Sequence, residues 1–168
     1  NNFKNPPNVF NTWMNTLKSV NNSVLWLMIK KNNPTVKNHL KKEALKKGIE
    51  SDRLIFANRM SLSDHLARLK LADLFIDTMP YNAHTTASDA LWVGLPVLTL
   101  CGETFASRVA ASMLNAVGLS ELITLTDKKF EDLAIELGNN PKKLQQIKNK
   151  LNNNKIFQPL FNSKALLR

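Results

Sequence analysis

The sequence predicts an α/β fold: a Rossmann-like parallel sheet with flanking helices. Two observations carry that prediction. Short apolar runs near residues 24–29, 53–57, 73–77, 97–100 and 122–125 alternate with stretches whose apolar residues recur every three or four positions. Each run is also separated from the next by a helix's length. That is the spacing of βαβ units, which cross over right-handed between parallel strands.

The elements follow in order. Pro6-Pro7-Asn8 introduces a helix with Val9, Trp13, Met14, Leu17 and Val20 on one face. Ser23 to Ile29 is almost wholly apolar and reads as a strand buried on both faces, as parallel sheets ordinarily require. Thr35 is the expected N-cap of a basic helix with Val36, Leu40 and Ala44 inward, ended by Gly48. Arg53 to Ala57 makes the next strand. Ser61-Leu62-Ser63-Asp64 has capping-box spacing and opens a helix with Leu62, Leu66 and Leu69 inward. Leu74-Phe75-Ile76, bounded by acids, is too short for a helix and reads as the third strand.

Turn residues Met79-Pro80-Tyr81-Asn82 come next, and a helix is expected to start at His84-Thr85-Thr86. Ala87, Ala90 and Leu91 give it an inner face, and Gly94 and Pro96 stop it. Pro96 to Leu100 is the fourth strand, followed by the turn Cys101-Gly102-Glu103-Thr104. Phe105, Val109, Met113 and Ala116 are expected to line a helix closed by Gly118. Leu122 to Leu125 is the last strand. Thr126 caps a helix holding Phe130, Leu133, Ala134 and Leu137, with Gly138 at its end, and Pro141 starts another with Leu144, Ile147 and Leu151 inward. No internal repeat is visible.

The chemistry is concentrated between the third and fourth strands. A helix start carries unpaired N–H groups and a partial positive charge, a natural cradle for an anion. Thr85 and Thr86 add hydroxyls there and His84 an imidazole. Asp89 lies one turn on, where a carboxylate can accept sugar hydroxyls. Phosphate donors followed by a carboxylate suit a nucleotide. The same residues also fit a bland alternative, since Thr86-Ala87-Ser88-Asp89 has the spacing of a capping box. In parallel sheets ligands bind beyond the carboxyl ends of the strands. That edge collects Met60 to His65, Pro80 to Asp89 and Cys101 to Thr104.

Composition narrows the classes. The chain has 168 residues, 43% of them hydrophobic, enough for one domain with a full core. No apolar run has membrane-spanning length, and Asn1-Asn2-Phe3-Lys4 does not read as a secretory leader. Cys101 is the single cysteine, which excludes an internal disulfide and a cysteine metal cluster and fits a cytoplasmic setting. The net charge of +10 would suit a nucleic-acid partner, but the lysines are dispersed along helices without interleaved aromatics. Solvated helix faces explain them better. A Ser-His-Asp triad, paired-carboxylate hydrolysis and a metal site all lack the residues or spacing they need.

The stretch DLFIDTMPYNAHTTASDALWVGLPVLTLCGETFASRVAASML closely resembles the C-terminal catalytic lobe of the O-GlcNAc transferases, protein glycosyltransferases with a GT-B fold. HTTASDALW and GETFASRVAAS are long ungapped matches, and the resemblance runs from Lys4 to about Phe161. Related plant-type protein O-fucosyltransferases carry another residue, within a threonine run, at the His84 position. The resemblance therefore favours UDP-GlcNAc over GDP-fucose. It implies that residues 1–168 form a single donor-nucleotide-binding lobe whose first strand and N-terminal partner lobe lie outside the chain. Such a piece is expected to be inactive alone.

By the same resemblance, the turn at Met60 meets the base edge, His65 packs against uracil and Leu62 stands where the family often has lysine. His84 lies against the nucleotide, Thr85 and Thr86 face the diphosphate and Asp89 binds the ribose. Lys4 would help stabilise the leaving diphosphate, and Glu103 and Arg108 only shape their loop. The implied reaction is inverting transfer of GlcNAc to serine or threonine without metal or other cofactor. The implied partners are a UDP-sugar and a protein or peptide acceptor held through the N-terminal lobe. Two other readings stay open: transfer of another sugar or to a small acceptor, and a non-enzymatic basic module for nucleic acid or a protein. Salt separates the last, because phosphate-backbone binding weakens steeply as salt rises.

Overall fold

A computed structural model describes residues 7–29, 33–157 and 159–161. Seven α-helices and five strands alternate among them. Helix α1 (Pro7–Ser19) leads to β1 (Leu25–Met28), α2 (Pro34–Lys46) to β2 (Leu54–Ala57), and α3 (Leu62–Leu69) to β3 (Phe75–Ile76). Then α4 (Thr85–Trp92) leads to β4 (Val97–Leu100), α5 (Val109–Ala116) to β5 (Ile123–Thr124), and α6 (Asp127–Asn139) to α7 (Pro141–Phe157). All pairings are parallel, as the alternation requires. They fall into two groups: β1 with β2, registered from Leu25↔Leu54 to Met28↔Ala57, and β3-β4-β5, with Ile76↔Leu98 and Thr99↔Ile123 in register.

The core is continuous across the break between the two groups. Trp13, Met14 and Leu17 of α1 join Ala44 of α2 and Leu54 of β2, and Ile76 of β3 packs against the same cluster. Strand β4 is the centre of the other half: all four of its residues are buried, between the α4–α5 side and Phe130 and Ala134 of α6. Helix α7 lies over the ends of α4 and α5. Asn154 Nδ2 donates to the Val117 carbonyl at 2.8 Å and Lys155 Nζ to that of Trp92 at 3.2 Å. Both acceptors are end-of-helix carbonyls that lack an intrahelical donor.

Several sequence expectations need correction. Strand β1 is not buried on both faces: Trp26 is 39% and Met28 49% exposed, while Leu25 and Leu27 face the core. Helices α1 and α2 both pack on the Leu25–Leu27 side. The cap of α2 is Asn33, not Thr35; its side chain accepts the Val36 N–H at 3.2 Å, and Pro34 takes the first helical position. Leu62 does not point inward but is 66% exposed, at the first position of α3. Phe105 lies in a separate 3₁₀ turn, Phe105–Ser107, and α5 buries Ala110, Ala111 and Leu114 most deeply, while Met113 of the expected stripe packs half-buried against the same core. Helix α6 runs one residue past Gly138, where an added Cβ would sit 2.7 Å from Val20 Cγ2.

Candidate functional site

Three segments follow strand ends on one edge. Residues 58–65 follow β2, residues 77–89 follow β3 and residues 101–107 follow β4. The second and third are tied together. Asn82 N–H donates to the Ala106 carbonyl at 3.0 Å, and His84 Nε2 lies 3.5 Å from that same oxygen. The His84 ring stacks on Tyr81 at 4.9 Å between centroids and meets the edge of Phe105 at 6.4 Å. Phe105 itself is 82% exposed, so this aromatic group stands at the surface.

Helix α4 begins as its sequence foretold, but its cap is different. His84 is the N-cap residue and makes no side-chain capping bond. Its carbonyl accepts the N–H groups of Ala87 and Ser88, both at 3.0 Å. Thr85 and Thr86 thus occupy the first two helical positions, whose N–H groups have no intrahelical acceptor. The capping-box reading of Thr86 and Asp89 fails on geometry, because Thr86 lies inside the helix and not at its cap. Thr85 is exposed and His84, Thr86 and Asp89 are half-buried, so the first turn faces outward with donors available. An eight-residue helix is marginal alone. Ala87, Ala90 and Leu91, each at 0% exposure, hold it against β4 and α5.

Beneath the loop lies a buried polar network. Asp77 Oδ1 accepts the N–H groups of Thr78 at 2.8 Å and Ala83 at 2.7 Å, and Oδ2 accepts the Thr99 hydroxyl at 2.7 Å. Asn82 Nδ2 donates to the Thr78 carbonyl at 3.2 Å. The turn after β4 is closed by a true capping box, with Thr104 Oγ1 accepting from Ser107 N–H and Ser107 Oγ from Thr104 N–H. Gly102 is required there, since a Cβ would approach Ser107 Oγ to 2.5 Å.

The α3 side is held separately. Ser61 caps α3, accepting Asp64 N–H at 3.2 Å. Met60 is exposed and His65 half-buried. Arg68 Nη2 lies 3.1 Å from His65 Nδ1, and Arg68 Nη1 donates to the Asn58 carbonyl at 2.9 Å. A guanidinium only donates, so Nδ1 accepts and the neutral imidazole carries its hydrogen on Nε2. His65 and Met60 share the edge with the α4 start, and α3 packs beside α4. Lys4 lies outside the described residues. Sequence reading missed Arg68, Asp77, Tyr81 and Phe105. Of these, the three-residue spacing of His65 and Arg68 was visible in the sequence as a same-face pair.

A depression of about 690 Å³ lined by Asn21, Ser23, Gly48 and Arg53 lies at the opposite, amino ends of β1 and β2. Its guanidinium is already committed: Arg53 donates to the carbonyls of Leu17, Val20 and Ser23 and so closes α1.

Comparison with known proteins then settles the kinship. The family model described as glycosyl transferase family 41 matches residues 1–168. The chain belongs to glycosyl transferase family 41. It is 36% identical over 162 residues to the probable UDP-N-acetylglucosamine–peptide N-acetylglucosaminyltransferase SEC of Arabidopsis thaliana. It is 33% identical over 162 residues to the UDP-N-acetylglucosamine–peptide N-acetylglucosaminyltransferase of Caenorhabditis elegans. Each match covers 96% of this chain, which spans 16% and 14% of those two relatives. In structure, this family 41 chain superposes on a mutant of the Thermobaculum terrenum O-GlcNAc transferase with a TM-score of 0.87 at 30% identity. That match covers 94% of the chain and 30% of the other. This family 41 chain thus has the Rossmann-like α/β fold, parallel strands with flanking helices, that the alternation of apolar runs and helical stretches predicted.

Proposed function

We propose that this chain is the donor-binding part of a protein O-GlcNAc transferase. It holds UDP-GlcNAc while GlcNAc passes to a serine or threonine hydroxyl. The observation that carries the reading is the outward-facing start of α4. There Thr85 and Thr86 present N–H and hydroxyl donors, His84 stands at the cap and Asp89 follows one turn on. The relatives' names supply the substrate class.

The roles follow from chemistry. The acceptor oxygen attacks the anomeric carbon, the bond from that carbon to the diphosphate oxygen breaks with inversion, and UDP leaves. The acceptor proton passes to a base outside the residues assigned here. Negative charge grows on the departing diphosphate. The α4 N-terminus and the two threonines are donors aimed at such charge, and Lys4 would add a cation, so no metal is required by this scheme. Asp89 takes the ribose hydroxyls, and Met60 and His65 take the base. The 168 residues alone are proposed to bind the donor without turning it over.

Calorimetric titration of UDP and uridine tests the reading. Thr85→Ala is expected to weaken UDP about tenfold or more, the cost of a charge-assisted hydrogen bond, with less effect on uridine. Asp89→Ala should weaken both. Equal affinities in all three proteins, with only the thermal melts shifted, would reduce these residues to a structural role.

A further inference from the structure

We propose that Asp77 is a positioning residue for the phosphate cradle, holding the start of α4 in place from below. The proposal rests on the donor-site reading of that helix. Of the six buried polar side chains among the described residues, five lie at the carboxyl ends of β3, β4 and β5 or in the turns that follow. They are Asp77, Asn82, Thr99, Ser107 and Thr124. Burying polar groups is costly unless each is bonded, so their concentration under one edge calls for a reason beyond packing.

Asp77 is the hub of this group and is 2% exposed. One oxygen, Oδ1, takes the N–H groups of both Thr78 and Ala83, and so closes residues 77–83 into a ring. Ala83 immediately precedes the N-cap His84, so this oxygen fixes where the helix starts and where Thr85 and Thr86 point. The other oxygen, Oδ2, takes the Thr99 hydroxyl, and the Thr99 carbonyl accepts the Thr124 hydroxyl at 3.0 Å. That second arm anchors the ring to β4 and β5. The two oxygens therefore divide the work: Oδ1 shapes the loop, and Oδ2 ties it to the sheet.

This division gives separable outcomes. Asp77→Ala opens the ring, and UDP affinity should fall about tenfold or more while uridine changes by less than about threefold, since phosphate donors are displaced most. Asp77→Asn should restore UDP binding to within about threefold. Its amide oxygen can accept the same two N–H groups, and its NH₂ can donate to the Thr99 hydroxyl. Thr99→Val should lower the melting temperature and leave the ratio of UDP to uridine affinity unchanged.

A merely structural Asp77 would instead lower both affinities together in the alanine variant. That result overturns the proposal, as does failure of the asparagine variant to restore UDP binding. No UDP binding by the unaltered chain overturns the donor-site reading, and this inference with it. Unaltered binding of UDP by Asp77→Ala overturns this inference alone. Should the alanine variant not fold, amide hydrogen exchange in the unaltered chain decides. Slow exchange at Ala83 without nucleotide supports a pre-set ring. Fast exchange that slows only on adding UDP overturns it.

Discussion

At the scale of residues, the site depends on a few short-range placements. His65 is held by Arg68, whose donors leave Nδ1 as an acceptor and put the ring hydrogen on Nε2. Nitrogen NMR of the His65 ring checks this: the unaltered chain should show the Nε2–H form, and Arg68→Ala a mixture of tautomers. A mixture in both proteins would remove Arg68 from the account. Gly102 has a different duty, leaving room for Ser107 to close its capping box. Gly102→Ala pushes a Cβ into Ser107 Oγ and Cβ, and overpacking of this kind costs roughly 1–3 kcal/mol. Thermal or chemical melts should show that loss. A variant as stable as the original would mean that the turn yields freely.

At the scale of elements, α4 stands out because it is short and yet carries the proposed phosphate donors. Its eight residues do not make a stable helix alone, so packing has to hold it. Leu91→Ala removes a fully buried side chain from the central cluster and should destabilise the chain by about 2–5 kcal/mol, read by denaturant melts. Ser61→Ala at the cap of α3 should cost only about 0.5–2 kcal/mol. If the two variants melted alike, α4 would not be the packed element described here. Gly94 ends α4 at φ +88°, where a side chain would also meet Asn152 of α7. The same residue thus breaks the helix and lets α7 come close.

At the scale of the whole molecule, β1 and β2 present one apolar face that no described residue covers. Val24, Trp26 and Met28 of the β1 segment and Ile55 of β2 are all well exposed. Parallel sheets normally have both faces covered, and an apolar patch of this kind promotes association. The 168-residue chain should therefore self-associate at high concentration, and the pair Trp26→Thr with Ile55→Thr should reduce it. Light scattering checks this, and a monomer at all concentrations would count against it. The net charge of +10 opposes association through repulsion, so added salt should strengthen it.

Periodicity and punctuation in the sequence determined much of the fold. The runs around Leu25–Met28, Leu54–Ala57 and Val97–Leu100 became strands, and the starts of α1, α4, α6 and α7 followed from proline, threonine and apolar spacing. Such signals are local: a period of two or 3.6, a missing proline N–H or a capping hydroxyl acts within a few residues. The long matches around HTTASDALW and GETFASRVAAS carried the family as well, because a contiguous string can be matched without knowing the fold. Tertiary structure alone decided which faces are covered. Trp26 and Leu27 are both apolar neighbours, and only the shared side of α1 and α2 packs one half-buried against the core and leaves the other exposed. It also decided the polar hub. Asp77 reads in sequence as an acid ending a strand, and its bonds to Ala83 and Thr99 exist only once β3 lies beside β4. A hydrogen bond across 22 residues leaves no periodic trace, because its partners are brought together by the crossover and not by their spacing.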